Sequence, residues 1–211
     1  NAALYHKIYR LLNAIEPNAG APFGAAAFFA SHELLKQFID FLSNYSFVTD
    51  FLGSSSLKLT WSDVFVEQRF MAVDEIHRLF MNFVDAASRG RALLLAVQGG
   101  RLAEGVDYIA NTLQTIIVVG VPYAKPTPRI SKMIEVYEDL FGDGRLYAYV
   151  IPALWSALQA AGRGIRGPDD VCTIIFMDRR FAKLKRLIPK WLLSQMKTTH
   201  IDRLEEAFIT R

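Results

Sequence analysis

The sequence has a single cysteine, Cys172, in 211 residues. That excludes an internal disulfide framework and a cysteine-rich metal site, and it fits a reducing compartment. The histidines, His6, His32, His77 and His200, are scattered without a ligand spacing such as His-Glu-x-x-His, so no metal site is expected. Long hydrophobic runs are missing as well. No stretch approaches the roughly 20 apolar residues that span a bilayer. The opening, Asn1 to Lys7, lacks the basic, apolar and small-residue order of a signal peptide. The expectation is an intracellular protein with no membrane attachment. An initiating methionine is absent too, which suggests a piece of a longer protein. Charge of one sign is not in large excess: 24 Lys and Arg face 21 Asp and Glu, a net charge of +3. This balance permits nucleic-acid binding without demanding it.

A nucleotide-gripping loop is also missing. Gly100 and Gly105 have the Gly-x4-Gly spacing of a P-loop, but Val106 and Asp107 follow where Lys and Ser or Thr belong. The chain therefore lacks the lysine that reaches terminal phosphates and the hydroxyl that holds Mg²⁺. Alone, it is not expected to hydrolyse ATP.

What is present is a core-forming chain, 52% hydrophobic and 21% charged. Residues 2–15 carry Leu4, Ile8, Leu11, Leu12 and Ile15 at helical spacing. Residues 16–22 break that helix. Gly24 to Phe29 reads as a buried strand, followed by Ser31 as an N-cap and a helical stripe of Leu34, Leu35, Phe38, Ile39 and Leu42. Phe38, Phe41, Phe47 and Phe51 form either core or a docking face. Gly53 to Ser56 is a loop, and Leu57 to Trp61 alternates as a strand. A helix is expected over 67–87, then strands at 92–97 and 114–120, helices over 129–141 and 147–162, and a last strand at 171–177. A basic run, Arg179 to Arg186, and the pair Pro189 and Trp191 precede short terminal helices. Uninterrupted apolar strands alternating with helices predict one α/β domain, a mostly parallel sheet covered on both faces. Ligands of such sheets bind beyond the carboxyl ends of the strands. The loops there hold Ser31 and His32, Gln98 to Asp107, and Val121 with Pro122.

Two stretches carry chemistry. Gln159, Arg163 and Arg166 stand at i, i+4 and i+7, so a helix would place them on one face. Gly162, Gly164 and Gly167 lie among them. Two forked guanidiniums beside small residues suit an anion, a phosphate above all, that approaches the backbone. A basic helix end compensating its own carbonyls is the plainer alternative. The second stretch, Gln98 to Tyr108, places Arg101, Glu104 and Asp107 after a strand end, either as a binding loop or as solvated charges.

Taken together these segments resemble the second RecA-like motor domain of the XPD/Rad3 helicases of superfamily 2, near the DinG branch. Gln159 to Gly167 is similar to motif VI, Gln-x-x-Gly-Arg-x-Ile-Arg-Gly. Gly99 to Tyr108 is similar to motif V, and Phe28 to Ser31 to motif IV. Val119 to Tyr123, Asp178 to Phe181 and Leu187 to Trp191 resemble the family's later segments, in order, over roughly residues 1–195.

The resemblance implies a RecA-like three-layer α/β/α fold over 1–211, the second half of a two-motor helicase moving 5′ to 3′ on DNA, with nucleotide excision repair as its setting. ATP and Mg²⁺ would be held mainly by the missing first motor domain of the same protein. Arg163 and Arg166 would act as arginine fingers and Gln159 would position water or phosphate. Glu104, Gly105, Asp107 and Gly162 would complete the nucleotide side. Ser31, His32 and Arg101 are the implied contacts to single-stranded DNA. A 4Fe-4S cluster is implied for the whole protein, not for this one-cysteine chain, and a repair or transcription-factor subunit is an implied partner. The competing readings are a non-catalytic nucleic-acid-binding or partner-docking module that kept the fold, and an RNA-directed relative of the same motor.

Overall fold

A computed structural model of the chain describes residues 2–15, 23–51, 59–108, 112–200 and 203, with the side chains of 45–51 outside the description. The expected loop at Gly53 to Ser56, and the side chains of Phe47 and Phe51, lie outside the described residues.

Five parallel strands form one sheet in the order β2-β3-β1-β4-β5. They are β1 (Phe23–Phe29), β2 (Asp63–Val66), β3 (Arg91–Val97), β4 (Thr115–Val119) and β5 (Thr173–Met177). The three central strands β1, β3 and β4 are buried almost throughout. Their unbroken apolar runs are what a sheet covered on both faces requires. On one face, α1 (Ala2–Ala14) and α2 (His32–Phe51) pack Ile8, Leu12, Leu35 and Phe38 onto Ala25, Ala27, Leu93, Leu95 and Ile117. On the other, α3 (Val73–Arg89), α4 (Arg101–Glu104) and α6 (Ile151–Ala161) pack Phe83, Leu102, Leu154 and Ala157 onto Ala26, Leu94, Ile116 and Val118. Small alanines on central β1 let both layers approach closely. The architecture is the expected three-layer α/β/α, and its sheet is parallel in every described pairing.

Several expected boundaries move. Trp61 is not in a strand: the strand is Asp63–Val66, and 59–61 is irregular. Trp61 instead turns inward, 6% exposed, and its indole N–H donates to the Leu12 carbonyl at 2.9 Å. It is a core plug. Residues 67–72 form a loop rather than a first helical turn, because α3 starts at Val73, where the Glu75 carboxylate accepts the Ala72 N–H at 2.7 Å. Val171 and Cys172 precede β5 rather than belonging to it. Trp191 sits within α8 (Lys190–Leu193) and is largely exposed. The chain between α5 (Pro128–Phe141) and α6 winds as a π-helix over Leu146–Val150. The basic run holds α7 (Arg180–Lys183), with Arg180 engaged by Asp178 at 2.6 Å and lying over the Tyr123 ring, so it is not a row of free cations. Among the described residues no helix is long and apolar enough to cross a membrane.

Candidate nucleotide-facing site

Gln98 stands just before the motif V segment, and it is structural. Its buried amide donates to the carbonyls of Phe28, Val119 and Gly120 at 3.0, 3.2 and 3.0 Å. One side chain thus ties together the carboxyl ends of β1, β3 and β4. Gly99 follows with φ +72°, and a Cβ on Gly100 would lie 2.8 Å from Glu67 Oε1. Those two positions need glycine for the turn and the close approach. The short α4 ends where the Gly105 N–H donates to the Arg101 carbonyl at 2.6 Å. Tyr108, buried, donates its hydroxyl to the Leu102 carbonyl at 2.9 Å and meets Phe80 edge-on. These contacts fix the path of 105–108 against α4 and α3.

Glu104, Gln159, Gly162, Arg163 and Arg166 line one concavity of about 380 Å³. The convergence expected from spacing is therefore present, but its cause differs. The α-helix ends at Ala161, Gly162–Gly164 is a 3-10 turn, and Ile165 is extended, so Arg166 is not on a helical face with Gln159. The Val106 carbonyl gathers the arginines instead. It accepts from Arg163 Nη1 at 2.9 Å and from Arg166 Nη2 at 3.4 Å. Arg166 Nη2 also pairs with Asp107 at 2.9 Å, and Ser156 hydroxyl reaches Glu104 at 3.4 Å. Among the described residues, Arg163 has no carboxylate ion pair. Burial first, and the Arg166 charge second, lower its pKa from the usual arginine value. Two neighbouring guanidiniums share one carbonyl and face the concavity with the Glu104 carboxylate beside them, and their forked donors are those of an anion site.

The glycines divide by role. A Cβ on Gly162 would meet nothing within 4 Å, so this position keeps the concavity open. A Cβ on Gly164 would lie 2.3 Å from Cys172 Sγ and 3.1 Å from Ile116 Cδ1. Gly164 is there for packing, against side chains at the amino ends of β5 and β4. Burial pushes the Cys172 thiol up to about 12, so it acts as packing rather than as a reactive group.

None of Ser31, His32 and Arg101, the expected DNA contacts, lines this concavity. Ser31 caps α2, accepting the Leu34 N–H at 3.2 Å. His32 is half-buried at the start of α2, and its pKa is lowered by burial and by Arg69. Arg101 opens α4 and is exposed. All three follow β1 or β3 at the carboxyl edge. Among the described residues no group of His, Cys, Asp and Glu could hold a metal ion.

Sequence reasoning missed two carboxylates. Glu67, 5% exposed, accepts the Val97 N–H at 2.9 Å. Asp170 accepts the N–H groups of Arg166 and Gly167 at 2.6 and 2.8 Å, which sets the bend after motif VI. It missed Trp155 too, 62% exposed and one turn before Gln159 on α6.

Comparison with known proteins places the chain in a family. The family model described as the helicase C-terminal domain matches residues 18–195. The helicase subunit XPD of general transcription and DNA repair factor IIH from Dictyostelium discoideum is 27% identical over 192 residues, covering 89% of this chain and 24% of that protein. The ATP-dependent DNA helicase CHL1 of Eremothecium gossypii is 23% identical, covering 92% of this chain and 24% of that protein. A solved XPD helicase superposes with a TM-score of 0.56 at 20% identity, over 87% of this chain and 29% of that one, and shares the RecA-like fold. The chain spans about a quarter of the length of these curated relatives. It belongs to the helicase C-terminal domain family, and within it is XPD/Rad3-like.

Proposed function

We propose that residues 1–211 are the second motor domain of an ATP-dependent DNA helicase that moves 5′ to 3′ on single-stranded DNA and serves nucleotide excision repair. The observation that carries this reading is the meeting of Gln159, Gly162, Arg163, Arg166 and Glu104 around one open, cationic concavity. A phosphate fits this donor set: two guanidiniums, an amide, and a glycine with no side chain in the way. ATP supplies a labile phosphoanhydride when bound between two motor domains. This chain contributes the far wall. Arg163 and Arg166 neutralise charge on the terminal phosphate, and the Gln159 amide orients a donor toward it. Glu104, Gly105 and Asp107 shape the nucleotide side and tie it to motif V. Mg²⁺ and the P-loop contacts fall to the first motor domain, as does the 4Fe-4S cluster. Trp155, exposed beside Gln159, supports a surface that a second domain covers.

Ser31, His32 and Arg101 then form part of the DNA track at the carboxyl edge. The alternative, a non-catalytic docking module, draws on the exposed and mutually packed Phe141 and Tyr147, with Leu140 beside them. The same surface suits a repair or transcription-factor subunit bound to an active motor. Retention of both motif VI arginines favours the motor. Strand displacement by the full-length protein on duplexes with a 5′ or a 3′ single-stranded tail tests the reading. ATP-dependent unwinding of the 5′-tailed duplex alone is expected; no ATP-dependent unwinding of either duplex contradicts it.

A further inference from the structure

Two anomalies coincide at Phe70. It is the most exposed large apolar side chain among the described residues, at 90%, and the one non-glycine residue among them with positive φ, +68°. A bulky residue leaves the left-handed region unless its surroundings hold it there. The loop is held at both ends. Glu67 N–H donates to the Leu95 carbonyl at 2.8 Å while its buried carboxylate accepts the Val97 N–H. Gln68 N–H reaches Met71 Sδ at 3.3 Å, and Glu75 accepts the Ala72 N–H. The result is a rigid turn that carries an aromatic ring out into water.

The surroundings of that ring are cationic. The Arg69 guanidinium lies 4.9 Å from the Phe70 ring centroid. Its charge also reaches His32. β2, β3 and β1 are adjacent and parallel, so the Phe70 loop, the Arg101 turn and the Ser31–His32 turn open on one edge of the sheet.

We infer that Phe70 and Arg69 form a base-stacking subsite for single-stranded DNA, extending the track beyond Ser31, His32 and Arg101. The inference rests on the motor reading above. A base offers a flat π-face to the open side of the ring, and Arg69 meets the adjoining phosphate. A protein-docking surface would need a contiguous apolar patch, whereas Phe70 stands beside exposed Gln68 and Arg69, with Val73 the nearest exposed apolar side chain along the chain.

Fluorescence anisotropy of the full-length protein tests this, using oligo(dT) and an abasic oligonucleotide of equal length. Phe70→Ala should weaken oligo(dT) binding by about 5- to 150-fold and leave abasic binding unchanged. Phe70→Trp should restore oligo(dT) binding. Phe70→Gly should lose the same affinity yet raise the melting temperature, because glycine accepts positive φ without strain. A purely structural residue would not move affinity and stability in opposite directions. Unchanged oligo(dT) binding by Phe70→Ala, or equal loss on both oligonucleotides, overturns the subsite while leaving the motor reading intact. A wild-type protein that binds no oligo(dT) overturns both.

Discussion

Arg166 Nη2 lies 2.9 Å from Asp107 Oδ1, joining motif VI to motif V across 59 residues of sequence. Asp107 is 95% exposed, so the pair adds little to stability. Its consequence is orientation: one of the two cations facing the concavity is held by a residue of the loop that follows β3.

Asp107→Ala should therefore change stability by no more than about 0.5 kcal/mol. In the full-length protein the same substitution should reduce DNA-stimulated ATP turnover by about 10- to 100-fold, since a misplaced catalytic group is costly. Thermal melting and steady-state turnover on the same preparation check the split. Parallel losses in both would mean that Asp107 is a structural residue.

Gly162 and Gly164 of motif VI should respond in opposite ways. Gly164→Ala drives a Cβ into Cys172 and should cost about 1–3 kcal/mol. Adding Cys172→Ala removes the sulfur contact at 2.3 Å but leaves the Cβ contact at 2.9 Å, so partial recovery is expected. Gly162, helical at φ −70° and open to space, should tolerate alanine with a gain of about 0.4–1 kcal/mol. Urea unfolding of the three variants orders them, and turnover should still fall in Gly162→Ala because the concavity narrows.

Glu67 offers a pH signature. Burial raises its pKa above the ordinary 4.5, with the Val97 N–H opposing that shift. A raised folded pKa means that the folded state holds the proton more tightly. The contribution to stability is then full below the ordinary value and is lost as pH rises through the folded one. Glu67→Gln keeps an oxygen acceptor for Val97 and does not ionise. It should match wild type below the ordinary value and become relatively more stable as pH rises above it. Glu67→Leu orphans the Val97 N–H and should cost about 1–3 kcal/mol. Denaturant melts across acid to neutral pH decide this; a gap that opens toward acid instead would contradict the assignment.

The central strands were legible because β1, β3 and β4 are unbroken apolar runs buried on both faces. β2 was not. It is an edge strand paired only with β3, and the alternation up to Trp61 mimics a strand while its indole is drawn inward by the Leu12 carbonyl. Motif VI was legible as residue types but not as geometry. Helical spacing suggested one face, whereas the helix stops at Ala161 and the Val106 carbonyl brings the arginines together. Glu67 and Asp170 could not be singled out, because each acts on backbone N–H groups that only the fold delivers. Phe70 was passed over for a related reason: helical periodicity placed it inside a helix that starts three residues later.

The most direct test of the account is turnover by Arg166→Ala in the full-length protein, with saturating oligo(dT), beside a direct measurement of nucleotide binding. The account predicts ATP hydrolysis reduced by about 10³-fold or more, as for removal of an arginine finger, with nucleotide affinity changed only a few-fold. Near-normal turnover in that variant would contradict it, and would leave the cationic concavity as a feature of motif V and VI packing alone.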